Sequence, residues 1–95
     1  MNDLLRITSA EPVIHGVLKL SWNDGYVGLV DFRRFLQLGK IYTPLRDPAF
    51  FDAVAVEAYG HSIGWVAGDG IEIDFGADRL WEMAHEQAEL LAKAG

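Results

Sequence analysis

The chain has no cysteine, which excludes a disulfide scaffold, a cysteine nucleophile and any thiolate metal site. Nowhere do about 18 apolar residues run together, so no membrane-spanning helix and no membrane association are expected. The opening residues, Met1-Asn2-Asp3-Leu4-Leu5-Arg6, lack the basic stretch and apolar run of a secretory leader, so the expected location is cytoplasmic. Proline is scarce, at three residues, and no Pro/Ser-rich linker, internal repeat or low-complexity stretch divides the sequence. One domain over residues 1–95 is expected. Basic residues are also few: eight Lys and Arg against fourteen Asp and Glu, a net charge of −6. They are unevenly placed. Residues 1–46 hold six bases and four acids, a charge of +2, whereas residues 47–95 hold two bases and ten acids, a charge of −8. The second half would repel a phosphate backbone and nothing in the first half offsets it, so direct nucleic-acid binding is not expected. An acidic surface suits a basic protein partner, although surplus acid also serves plain solubility.

What the chain does have is apolar material. Half of its residues, 51%, are hydrophobic, and Trp22, Trp65 and Trp81 are among them. The clearest local pattern is Val17-Leu18-Lys19-Leu20-Ser21-Trp22, where Leu18, Leu20 and Trp22 alternate onto one face of a strand. Asn23-Asp24-Gly25 is a turn, and the return strand runs from Tyr26 to Val30. A three-residue loop sets Trp22 opposite Tyr26 and puts Tyr26 and Val30 on the apolar face, so it is preferred to a two-residue one. An earlier strand, about Leu4 to Ser9, is expected to pair with this hairpin. Asp31 reads as the N-cap of a short helix from Phe32 to Leu38, with Phe32, Phe35 and Leu36 buried and Gly39 as its stop. Asp47-Pro48 starts another helical turn carrying Phe50 and Phe51.

Val54 to Tyr59 and Ser62 to Val66 read as a second hairpin about Gly60-His61, followed by a Gly68-Asp69-Gly70 turn into a strand from Ile71 to Asp74. The last element, Ala77 to Ala94, is the longest helix. Leu80, Trp81, Ala84, Ala88 and Leu91 fall on one side at helical spacing, and Asp78 and Lys93 suit its two ends. Two hairpins without strand–helix–strand alternation predict an α+β fold, a small antiparallel sheet with two short helical segments and a longer C-terminal helix.

The order of these pieces resembles domain-of-unknown-function family 2442. The residues that carry the resemblance are Leu18-Lys19-Leu20-Ser21-Trp22-Asn23-Asp24-Gly25, then Val30-Asp31-Phe32, Thr43-Pro44-Leu45-Arg46-Asp47-Pro48-Ala49-Phe50-Phe51, and Ile63-Gly64-Trp65. The stretch covered is about Leu4 to Glu82. The resemblance implies a small bacterial α+β domain with no established activity. It also implies a neighbour-encoded small protein as partner, in a toxin–antitoxin-like pair. Some members carry a helix-turn-helix segment after the domain; that role is not carried over to this chain. The sequence departs from the family at Trp65-Val66-Ala67-Gly68-Asp69-Gly70, where the family's turn is shorter and more polar.

No catalytic constellation stands out. His85-Glu86-Gln87-Ala88-Glu89 has a glutamate where a zinc-protease helix needs its second histidine, and reads as a solvated helix face. Asp69, Glu72 and Asp74 lack the spacing of a calcium loop. Neither a nucleophile elbow nor a phosphate loop is present, and no metal or cofactor is expected. His15 is placed at a strand start and His61 at an exposed hairpin tip. Trp65 admits two readings. It is either core, with Gly64 allowing close packing, or the anchor of a recognition surface rimmed by Arg46 and Asp47. A chain this small needs its large aromatics inside, so core is preferred for Trp65 and Trp81 alike. Three functions follow. The first is a protein-interaction module, the antitoxin-like member of a pair. The second is an enzyme or small-molecule-binding domain with a site from Asp31, Arg46, Trp65 and His61 or His85. The third is self-association as a homodimer, through a sheet edge or the non-core side of the last helix, where Glu82 and Glu86, one turn apart, set like charges against a tight helix pair.

Overall fold

A computed structural model describes residues 4–38, 40–66 and 72–94. Strands β1 (Ile7–Ile14), β2 (Val17–Trp22) and β3 (Val27–Asp31) form an antiparallel sheet in that order. The β2–β3 hairpin has the expected register. Trp22 N donates to Tyr26 O at 2.9 Å and Gly25 N to Trp22 O at 3.1 Å, so Trp22 stands opposite Tyr26 across a three-residue loop. Gly25 sits at a φ of 91°, a conformation that costs glycine least. Leu18, Leu20, Trp22 and Val30 are buried on one face, as the alternation requires.

The first strand does pair with this hairpin, but it runs later than expected, from Ile7 to Ile14 rather than from Leu4 to Ser9. Pairing with β2 continues to the His15-Gly16 turn. Pro12, which cannot donate to a ladder, lies beside a register shift. His15 accordingly occupies the turn before β2, with Nε2 donating to Leu45 O at 2.8 Å.

The second sheet holds β4 (Ala55–Val56), β5 (Ser62–Val66) and β6 (Glu72–Gly76), again antiparallel and in chain order. β4 is much shorter than the expected Val54–Tyr59 strand. Glu57 N still reaches Ser62 O, but the chain then turns through Gly60, at a φ of 76°. Gly60 O accepts from Ile7 N at 2.7 Å and so ties the turn to β1. The residues that would have lengthened β4 instead form this turn, Gly60 N donating to Glu57 O at 2.8 Å and Glu57 Oε1 accepting from His61 N at 3.1 Å. The Gly68-Asp69-Gly70 turn lies outside the described residues.

Three α-helices and a 3-10 helix complete the fold of the described residues. α1 (Arg33–Leu36) is shorter than expected. Asp31 does serve its start, its Oδ1 accepting from Arg33 N at 2.9 Å, but Phe32 takes the cap position. A 3-10 helix (Lys40–Arg46) leads to α2 (Pro48–Asp52), where Asp47 caps through Ala49 N and Pro48 fills the first position. α3 (Ala77–Ala94) has the expected bounds.

The core lies between the two sheets and the first half of α3. Trp65 is 2% exposed, stacks on Phe51 at 5.7 Å and meets Phe32 edge-on at 6.0 Å. Its indole N–H donates to Phe51 O at 2.8 Å, and that of Trp22 to Ala77 O at 3.0 Å. Both large aromatics thus bury their rings without stranding a donor. The helix periodicity needs correcting at two places. Met83 joins Leu80 and Ala84 in the core, whereas Ala88 and Leu91 stay exposed. Trp81 is only half-buried, and its N–H reaches Asp24 Oδ2 at 2.9 Å.

Candidate interaction groove

β3 pairs with β2 alone among the described strands, so one of its sides is an edge. The phase of the ladder fixes which groups face outward. Tyr26 O accepts from Trp22 N, and Phe32 N donates to Gly16 O at 2.7 Å. Alternate residues of an antiparallel pair bond inward, so the N–H and C=O of Val27, Leu29 and Asp31 point to the open side. At Asp31 the opening is closed. Gln87 of α3 accepts from Asp31 N through Oε1 at 2.8 Å and donates from Nε2 to Asp31 O at 3.3 Å. The carboxamide stands where the peptide group of a fourth strand would.

α3 reaches this position because Gly28 lets it come close. A Cβ on Gly28 would lie 2.8 Å from the Tyr26 ring and 3.2 Å from Ala84 Cβ. Past Gln87 the helix continues without cover. Leu90 and Leu91 are 66% and 73% exposed, and Val27 and Leu29 are about half exposed, at 51% and 52%. With Val13 and Ile14 from the end of β1 they line one groove of about 960 Å³ between β3 and the second half of α3. Its charged residues are Asp31, Arg33, Arg34 and Glu86. Arg33 Nη2 lies 2.7 Å from Asp31 Oδ2. The hydrogen bonds from the Arg33 side chain hold the Asp31 carboxyl below the usual aspartate range, against the opposing effect of burial. The same bond raises the Arg33 guanidinium further.

Of the candidate site residues Asp31, Arg46, Asp47, Trp65, His61 and His85, Asp31 alone lines the groove. Arg46 donates through Nε to Leu36 O at 2.6 Å, and Asp47 caps α2. Trp65, the candidate anchor, is core. His61 is exposed beside Glu57 and borders a separate hollow of about 290 Å³ with Leu4 and Asp78. His85 packs its ring on Tyr26 at 3.9 Å and on Trp81 at 3.7 Å, with Nδ1 donating to Trp81 O at 2.8 Å. Neither of these two cavities is lined by more than one of the five side chains Asp31, Arg46, Trp65, His61 and His85. Among the described residues no three His, Asp or Glu side chains gather as metal ligands, and no helix is long and apolar enough to cross a membrane.

Sequence reasoning missed Gln87, Val27, Leu29 and Leu90. One signal was available: Val27-Gly28-Leu29-Val30 is apolar on both faces of its strand, where one-sided burial calls for alternation. Comparison with protein-family models, with curated proteins and with solved structures gave no match.

Proposed function

We propose that this chain is a protein-interaction module whose working surface is the groove between β3 and the second half of α3. One observation carries the reading. Of ten large apolar side chains exposed among the described residues, six (Val13, Ile14, Val27, Leu29, Leu90 and Leu91) line this one groove. Singly scattered apolar residues are ordinary on a soluble surface, but a contiguous patch marks an interaction site. The scattering of Asp31, Arg46, Trp65 and the histidines weakens the alternative of a small-molecule or enzymatic site built from them. The resemblance to family 2442 and the acidic second half support a setting in the bacterial cytoplasm, with a small neighbour-encoded protein as the antitoxin-like domain's partner.

The test is mass-resolved co-purification from the native cell at low ionic strength, where charge contacts are least screened. The wild type and a Leu90→Ser/Leu91→Ser variant are compared. A stoichiometric protein recovered with the wild type and lost with the variant is the expected result. Equal recovery with both removes the groove as the working surface, and recovery of neither removes the module.

A further inference from the structure

The charges of the groove bear on what fills it, and the inference drawn from them rests on the interaction-module reading. The chain carries −6, which favours a basic partner for its surface as a whole. The groove is different: its charged lining is two cations and two anions. An acidic or a basic partner segment would each meet a like charge there. A two-fold interface instead brings a patch against itself, residue i on j and j on i. A patch with both signs set apart is complementary to its own copy. Asp31 and Arg33 already satisfy each other at 2.7 Å. That leaves Arg34 on α1 and Glu86 on α3, both exposed and without an ion-pair partner among the described residues.

We infer that, when its partner is absent, a second copy of this chain closes the groove, Arg34 of each copy facing Glu86 of the other across a two-fold axis while Leu90 and Leu91 cover Val27 and Leu29. The contact removes the most exposed leucines among the described residues from water at a place where two acidic chains approach without net like charge.

Purified protein is examined by sedimentation between about 1 µM and about 1 mM, the range in which a modest interface populates both states. The wild type is expected to move from monomer to dimer. Arg34→Glu and Glu86→Lys, both at exposed positions, should each weaken the dimer about tenfold or more through like-charge contact. Mixing the two variants should restore it, since each then supplies the sign the other needs. Far-UV circular dichroism checks that both remain folded. A wild type that stays monomeric throughout overturns the second copy but leaves the module reading to its own co-purification test. A dimer indifferent to both variants overturns the groove-to-groove arrangement. Failure of the mixture to recover overturns the Arg34–Glu86 pairing.

Discussion

The two halves of α3 are made from the same kinds of residue and meet opposite fates. Ala77, Leu80, Met83 and Ala84 are buried against the two sheets, whereas Leu90 and Leu91, less than two turns beyond Ala84, are the most exposed leucines among the described residues. Helical periodicity identifies an apolar side in both halves. What differs is the neighbour. The first half crosses the core between Trp22, whose indole holds Ala77 O, and Gly28, whose missing Cβ admits Ala84. The second half runs past the end of β3, and the last hydrogen bond tying it there among the described residues is that of the Gln87 carboxamide. An apolar stripe states what a helix can bury. The surrounding chain decides whether it does so within its own fold.

The comparison is sharpened most by removing one apolar group on each side of that divide. Phe51→Ala empties a fully buried site beneath Trp65 and should cost about 3–5 kcal/mol, a large part of the roughly 5–15 kcal/mol that holds such a domain together. Leu91→Ser should change monomer stability by no more than about 0.5 kcal/mol. Urea unfolding of both variants, at concentrations below any self-association, measures the contrast. A Leu91→Ser loss approaching that of Phe51→Ala would mean that the second half of α3 is core after all.

The next effect is at the seam between the sheets. An alanine Cβ at Gly60 would stand 2.6 Å from Ile7 O in a φ of 76°. Because the obstacle is backbone, relief requires β1 and the turn to separate. Gly60→Ala should cost about 1–3 kcal/mol, and hydrogen exchange should show the Ile7 amide losing protection before the Leu18 and Leu20 amides. Uniform loss across both sheets would show that they do not open separately.

How much of this was legible beforehand depends on whether the cause was local. The β2–β3 register, the Asp47-Pro48 cap and the bounds of α3 all follow from residues within a few positions of one another. The sequence also sufficed to place Trp65 inside, because a small chain cannot leave such a ring out. The shortened β4 was not legible. The turn that ends it, closed by Gly60 N to Glu57 O, is buttressed by the bond from Ile7 N to Gly60 O, more than fifty residues away in the sequence. Trp81 was misjudged for a similar reason, since Asp24 offers its N–H a partner at the surface. The groove was hidden because its walls come from β1, β3, α1 and α3, and because glutamine carries no motif. Only the two-sided apolar character of Val27 to Val30 hinted that β3 faces more than one neighbour.

Gln87 itself supplies a smaller test of where the core side of α3 ends. Gln87→Ala leaves the part-buried N–H and C=O of Asp31 without their protein partner and should cost about 1 kcal/mol. In the picture of α3 above, the loss is confined to the second half. Amide shifts should move for Asp31 and for residues 88–93, and stay fixed around Leu80. Shifts that spread to Leu80 would mean the two halves respond as one.

The smallest effect is a pH dependence at the groove's rim. Asp31 has its pKa lowered, chiefly by the hydrogen bonds from the Arg33 side chain. A carboxyl that binds its proton less readily folded than unfolded favours the folded state above the ordinary aspartate value of about 3.9. That contribution falls away as pH drops below this value and through the lower folded-state pKa. Both side chains are largely solvated, so screening keeps the effect small. Carboxyl-carbon NMR is therefore the better measurement than unfolding. The Asp31 midpoint should lie below the ordinary range in the wild type and return to it in Arg33→Ala. If the midpoint is unchanged by Arg33→Ala, the pair does not hold in solution. Arg33 would then be free for Glu86 of a second copy, and the sign pattern of the rim would have to be redrawn around two available cations rather than one.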